Sequence, residues 1–242
     1  MSIDSKKRVI VENRLHSLRR EHPVDSIPSL VENLRSGRAE KLELALFDVL
    51  STNHTSFFRE DEHFDLLRDH IIQPARGTSK GLRIWSAGCS RGCEPYTLSI
   101  LLHEMLEKPR QRDDRILATD LSTGALGAAR RGVYSGQETA NVSETRRGRF
   151  FTRTEDRGQE ALQIKPFLRE VVSFNMLNLL ESWPMKGPFD AVMCRNVMIY
   201  FDTPTRKALS QRFLNLVRPG GLFFVGTSET LSGYDLDVEQ LS

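Results

Sequence analysis

The chain has 242 residues, 27% of them charged, with 34 Lys and Arg against 32 Asp and Glu and a formal net charge of +2. That balance excludes a surface built to coat nucleic acid or to repel acids, and the length suits one α/β domain with a small appendage. Cys89, Cys93 and Cys194 are odd in number and form no C-x-x-C pair, which fits a reducing, cytoplasmic setting without a disulfide framework. No further ligands cluster around Cys89 and Cys93, so no metal is expected. The polar start Ser2–Arg8 is not a signal peptide, and no apolar run reaches the roughly 20 residues of a membrane span.

Residues 1–50 read as a small helical domain. Val9, Ile10, Leu15 and Leu18 recur at near-helical spacing among Arg8, Arg14, Arg19 and Arg20. A second short helix carries Leu30, Val31 and Leu34, and a third runs from about Lys41 to Leu50. The basic first helix is either a solvated face or a docking face for an acidic protein surface. Nucleic acid ranks third, because stacking aromatics are missing there. Residues 51–81 form an interdomain segment: polar Thr52–Arg59 places two phenylalanines for burial beside Arg59, and an amphipathic stretch (Phe64, Leu67, Ile71) closes at Pro74.

The main domain, 82–242, is organised around Arg83–Ser99. Leu82, Ile84 and Trp85 predict a strand ending in small Ser86-Ala87-Gly88. Gly88 and Gly92 bracket a turn, and Glu94-Pro95-Tyr96 opens a helix with Leu98, Leu101, Leu102 and Met105 on its apolar side. Strand, glycine turn, helix is the opening of a nucleotide-type α/β site. The spacing is neither G-x-G-x-x-G nor G-x4-G-K-[ST], which argues against dinucleotide and ATP phosphate cradles. Glu94 sits where such sites receive phosphate, and so favours a ligand with hydroxyls and cationic groups.

Arg115–Asp120 is a second strand ending in an aspartate. Asp120 is either an acceptor for ribose hydroxyls at the strand tip or a helix cap, a role Ser122 fills equally well. Leu126 and Ala129 continue a helix to Gly132. Residues 133–170 break the rhythm and read as an inserted β-subdomain, with strand-like pieces at Arg149–Arg153 and Ala161–Ile164 and a loop over Thr154–Glu160. Val171–Phe174 resumes the sheet and leads to Asn178-Leu179. Phe189–Cys194 is the next strand, with Arg195-Asn196 at its carboxyl tip. A helix follows from Thr203-Pro204, with Leu209, Phe213, Leu216 and Val217 inside and Pro219-Gly220-Gly221 as its stop. Leu222–Gly226 is the last strand. The alternation predicts an α/β class with a parallel, doubly wound sheet.

NHTSFFRE (53–60), WSAGCSRGCEPYTL (85–98), ATD (118–120), NLL (178–180), FDAVMCRNVMIYFD (189–202) and RPGGLFFVGTSETL (218–231) occur in one order. In that order they resemble the chemotaxis receptor glutamate methyltransferases of the CheR type. The resemblance implies a Rossmann-like S-adenosylmethionine methyltransferase sheet, with a helical N-terminal domain and an inserted β-subdomain. It implies that Asn53, Thr55 and Arg59 reach the cofactor from the interdomain segment, and that Gly88, Glu94, Asp120, Asn178, Leu179, Arg195 and Asn196 line its site. Arg59 and Tyr200 would stand nearest the reacting methyl as the catalytic pair. Cys93 replaces the Glu or Gln usual in the family at that place. The activity implied is methyl-ester formation on glutamates of chemoreceptor signalling helices, by a cytoplasmic monomer, with S-adenosylhomocysteine as product. A receptor C-terminal peptide on the β-subdomain is a further implied partner. The motif set holds no His or paired carboxylate aimed at the strand tips. A methyltransferase acting on nucleic-acid amino groups would carry (N/D)-P-P-(Y/F) where Arg195-Asn196-Val197-Met198 stands. The remaining alternatives are a methyltransferase with another protein substrate and a non-catalytic homologue that only binds cofactor or receptor.

Overall fold

A computed structural model describes Ser29, Glu32 and residues 55–241. Apart from Ser29 and Glu32, which are helical, the helices expected over 1–50 lie outside the described residues, as does Asn53. The elements that position the site are β1 (Arg83–Ala87), α2 (Cys93–Met105), β2 (Arg115–Asp120), α3 (Thr123–Arg131), β6 (Val172–Met176), β7 (Phe189–Cys194), α5 (Thr203–Leu214) and β8 (Val217–Val225). Before them comes α1 (Glu62–Leu67), which continues into one π-helical turn, Arg68–Ile72. Between α3 and β6 lie β3 (Val133–Ser135), α4 (Glu144–Phe150), β4 (Phe151–Asp156) and β5 (Gln159–Ile164).

Five strands form one sheet in the order β6-β2-β1-β7-β8, every pair parallel. The chain builds outward from β1 through β2 to β6, then crosses back to lay β7 and β8 on the other side. The strand order therefore reverses between β1 and β7, and the crevice at their carboxyl ends is where open α/β sheets bind ligands. Strand β1 is buried on both faces, as a central parallel strand must be. Trp85 is its anchor: the indole N–H donates to Thr119 Oγ1 at 2.9 Å, and the ring packs on Trp183 and Phe213, each at 5.0 Å. On the other face α2 is buried almost all round, including Leu98, Ile100 and Leu102.

The second sheet, β3-β5-β4, is antiparallel. Here the structure corrects two boundaries. Arg149 and Phe150 close helix α4, which Ser143 caps by accepting the Arg146 N–H, so β4 begins at Phe151. Thr154–Glu160 is a hairpin instead of a loop: Asp156 pairs with Gln159, and the two turn residues, Arg157 and Gly158, both have positive φ. That is the backbone twist a two-residue hairpin turn demands. A third correction concerns the last helix. It stops at Leu214, Val217 already pairs with Phe189, and Arg218–Gly221 bulge out before Leu222 pairs with Ala191. Strand β1 ends at Ala87, within the small-residue stretch Ser86-Ala87-Gly88 expected to close it.

Candidate active site

Gly88 leaves β1 with φ +80, and a Cβ built there would lie 2.3 Å from Cγ2 of Val197. Only glycine permits both the backbone conformation and that approach. The N–H groups of Gly88 and Cys89 both donate to the Thr119 carbonyl, at 2.8 and 2.9 Å, tying the turn to β2. Beyond it, Ser90 N–H donates to Asp120 Oδ2 at 2.7 Å, and Ser122 N–H to Oδ1 at 2.9 Å. Ser122 is the residue that caps α3, its hydroxyl accepting from Ala125 N–H at 2.9 Å. Asp120 is thus left to clamp the β1 turn against the start of α3. A carboxylate offers about four lone-pair positions, so one group can accept from several donors at this strand tip.

Glu94 lies in the first turn of α2, behind Gly92, whose φ is +90. Its carboxylate accepts from Ser86 Oγ at 2.7 Å and from Arg195 Nη1 at 3.0 Å. Arg195, at the tip of β7, is 3% exposed and reaches in the other direction as well. Its Nη2 donates to Glu60 Oε2 at 3.0 Å and to the carbonyl of Arg59. Glu60 is further held by Asn196 Nδ2 at 3.3 Å and Thr227 Oγ1 at 3.2 Å. The expectation of no paired carboxylates at the strand tips is therefore wrong. Glu60 and Glu94 flank one guanidinium, and Glu229 joins them by accepting the N–H of Asn196 at 2.8 Å.

The reason Glu60 arrives there is a backbone one. Phe58 and Glu60, on either side of Arg59, both have left-handed φ, near +53 and +54, within a run of turn residues. Such conformations are costly outside glycine, and persist only where the surroundings over-determine them. Here Phe57 N–H donates to the Glu138 carbonyl at 2.9 Å, Phe58 N–H donates to Thr97 Oγ1 at 3.2 Å, and the Arg146 guanidinium covers the Phe58 ring at 4.1 Å.

The electrostatics follow from the pairings. Burial pushes the Glu94 carboxyl up, and Arg195 and Ser86 offset that only in part. Burial acts upward on Glu60 too, but the hydrogen bonds and charge of Arg195, with Asn196 and Thr227, outweigh it and hold Glu60 below its ordinary value. His63, 3.5 Å from Glu60, is pushed down by burial and by Arg195. Burial raises the thiols of Cys89, Cys93 and Cys194, the direction opposite to that of an activated thiolate.

Gly88, Glu94, Asp120, Arg195, Asn196 and the backbone of Arg59 converge at the carboxyl ends of β1, β2 and β7. Thr55 is hydrogen-bonded to Cys93, beside Glu94. Tyr200 lies in the short turn Met198–Tyr200 after β7 and is 45% exposed. Asn178 closes a local turn, its Oδ1 accepting from Leu180 N–H and its Nδ2 donating to Glu181, each at 3.0 Å. The Leu179 side chain is buried in the Trp85 core. Glu60, Thr227, Ser86 and Glu229 escaped assignment from sequence, although all four stand inside the motifs NHTSFFRE, WSAGCSRGCEPYTL and RPGGLFFVGTSETL.

The donor set fits S-adenosylmethionine. Carboxylates at Glu60, Glu94 and Asp120 would repel a phosphate, but they match a ribose diol, an α-ammonium and a sulfonium. Residues 53–242 match the family described as CheR methyltransferase, SAM binding domain. Over 235 residues the chain is 35% identical to a probable chemotaxis protein methyltransferase of Rhizobium etli, covering 96% of this chain and 87% of that one. It is 35% identical over 240 residues to a chemotaxis protein methyltransferase of Borreliella burgdorferi, covering 96% and 84%. With its counterpart in Escherichia coli the identity is 37% over 227 residues, covering 93% and 78%. A strand-tip site of this chemistry, on a chain similar along nearly its whole length to these proteins, belongs to the CheR methyltransferase family and carries that family's S-adenosylmethionine-binding domain.

Proposed function

We propose that the chain methylates glutamate side chains on the cytoplasmic signalling helices of a membrane chemoreceptor, forming methyl esters. The observation that carries this reading is the alignment of 96% of the chain with a probable chemotaxis protein methyltransferase. The site chemistry supports it. S-adenosylmethionine supplies an electrophilic methyl group on a sulfonium and departs as S-adenosylhomocysteine. The acceptor glutamate, with an ordinary pKa of about 4.3, arrives ionised and needs no general base. The chain's own carboxylates fit that picture as anchors, since Glu60, Glu94 and Glu229 already accept hydrogen bonds from their neighbours. Anion and sulfonium combine to neutral products, so a site poor in water favours the reaction.

In this reading Asp120, at the carboxyl end of β2, accepts the ribose hydroxyls. Glu94 and Arg195 hold the charged end of the methionine moiety, and Asn53, Thr55, Gly88, Asn178, the backbone of Leu179 and Asn196 complete the wall. Arg59 grips the acceptor carboxylate by a charge-assisted bond, and the half-exposed Tyr200 orients it with its hydroxyl. A receptor C-terminal peptide laid along the β4 edge of the small sheet is a further partner, and the work is done in the cytoplasm. No helix among the described residues is long and apolar enough to cross a membrane.

Methyl-labelled S-adenosylmethionine incubated with the protein and receptor-containing membranes should label receptor, and mild alkali should release the label as methanol. Tyr200→Phe should keep S-adenosylhomocysteine affinity and lose most of that transfer. Label that resists alkali, or that appears on RNA, rules the ester reading out.

A further inference from the structure

The loop that leaves β8 turns back over the tip of β7, and Glu229 is the residue that holds it there. Glu229 Oε2 accepts the N–H of Gly226 at 2.6 Å and of Asn196 at 2.8 Å, and Oε1 accepts the N–H of Ile199 at 3.0 Å. Its own N–H donates to the Gly226 carbonyl at 2.8 Å. The three donors come from the end of β8, the end of β7 and the turn that carries Tyr200. A staple for the local turn would need only Gly226; the other two bonds reach back 33 and 30 positions.

Those two bonds fall where the backbone has least support of its own. Asn196 has φ +58, a left-handed conformation that only a few per cent of non-glycine residues adopt, Asn more readily than most. Ile199 and Tyr200 are each 45% exposed, so in the turn Met198–Tyr200 only the Met198 side chain is buried. The loop also presses directly on Asn196: a Cβ at Gly226 would lie 2.6 Å from Asn196 Nδ2 and 2.9 Å from its backbone nitrogen. On the opposite side Glu60 holds the Asn196 side chain and Thr227 of the same loop.

We infer that Glu229 is a positioning residue: its carboxylate fixes the backbone from Asn196 to Tyr200 and thereby sets where Tyr200 meets the acceptor. The inference rests on the proposed activity in taking Tyr200 to face the acceptor. Glu229 would act through the backbone bonds it accepts from Asn196 and Ile199.

Glu229→Gln separates the two arms. With its amide oxygen in the Oε2 place it still accepts from Gly226 and Asn196, but its NH2 opposes the Ile199 N–H. Glu229→Ala removes all three bonds. Three quantities are measured on the full chain: amide hydrogen exchange at Gly226, Asn196 and Ile199, calorimetric affinity for S-adenosylhomocysteine, and kcat for transfer to receptor membranes. In Glu229→Gln, exchange at Ile199 should speed up about tenfold while Gly226 and Asn196 change little. Its kcat should fall about tenfold with S-adenosylhomocysteine affinity within about twofold of wild type. Glu229→Ala should speed exchange at all three sites. Unchanged Ile199 exchange in Glu229→Gln overturns the inference, as does unchanged kcat, or a loss of cofactor affinity that matches the loss of kcat. If the wild-type protein labels no receptor glutamate, the substrate reading falls separately, and the exchange pattern alone then decides for or against Glu229.

Discussion

Arg195 stands between two carboxylates that it cannot serve equally, and their pH responses oppose each other. Glu60 is held below its ordinary value near 4.5, while burial leaves Glu94 above it. A lowered folded pKa contributes stability that is present above the unfolded value and lost as pH falls through the folded one. A raised folded pKa contributes stability that is present below the unfolded value and lost as pH rises through the folded one. Glu60→Gln should therefore be destabilised relative to wild type near neutrality, and the gap should close in acid. Glu94→Gln should gain on wild type as pH rises through the elevated pKa of Glu94. A tenfold difference in proton affinity between the folded and unfolded chain is worth about 1.4 kcal/mol, large enough to read in urea unfolding between about pH 3 and about pH 7. Curves that run parallel to wild type at all pH values would refute the assignment. None of this was legible in the sequence, where Glu60 is one acidic residue beside Arg59 and nothing pairs it with Arg195, 135 positions away.

At the level of elements, the turn from β1 to α2 was the most legible part of the chain, because its requirements are local. A glycine with φ +80 and a helix opening with Pro95 in its first turn leave their mark in adjacent residues. What opposes Gly88 was not legible: Val197 comes from the loop after β7, brought there by the parallel pairing of β1 with β7. Gly88→Ala should cost about 2–4 kcal/mol, left-handed strain plus a forced displacement of Val197. Gly77, with φ +76 and nothing within 4 Å of its added Cβ, isolates the backbone strain from the clash. Gly77→Ala should cost only about 1–2 kcal/mol. Equal losses for the two variants in chemical denaturation would show that the Val197 contact is immaterial. The hairpin at Arg157-Gly158 was hidden in the sequence because its polar strands bury few side chains, Phe151 alone in β4 and Ala161 and Ile164 in β5, and give little periodic signal.

For the molecule as a whole, the two sheets and the segment that carries Arg59 meet in one aromatic cluster. Phe57 is fully buried, edge-on to Tyr134 of β3 at 4.8 Å and to Phe151 of β4 at 5.2 Å. Tyr134 in turn donates its hydroxyl to the Arg91 carbonyl, in the turn before α2. Phe57→Ala should cost about 3–5 kcal/mol and loosen the small sheet and the 55–60 segment together. Hydrogen exchange that rises in only one of them would break that coupling. By itself the sequence determined the alternation of strands and helices, the parallel sheet, the burial of Phe57 and Phe58, and the placing of Gly88, Asp120 and Arg195-Asn196 at strand ends. Periodicity, turn chemistry and strand termini are properties of neighbouring residues. Only the tertiary structure decided that Glu60 and Glu94 share Arg195, that Ser122 and not Asp120 caps α3, and that Glu229 holds the turn bearing Tyr200. Apart from the Ser122 cap, these partners meet across tens of positions or more, through left-handed turns and a crossover between strands, and contacts made that way leave no pattern along the chain.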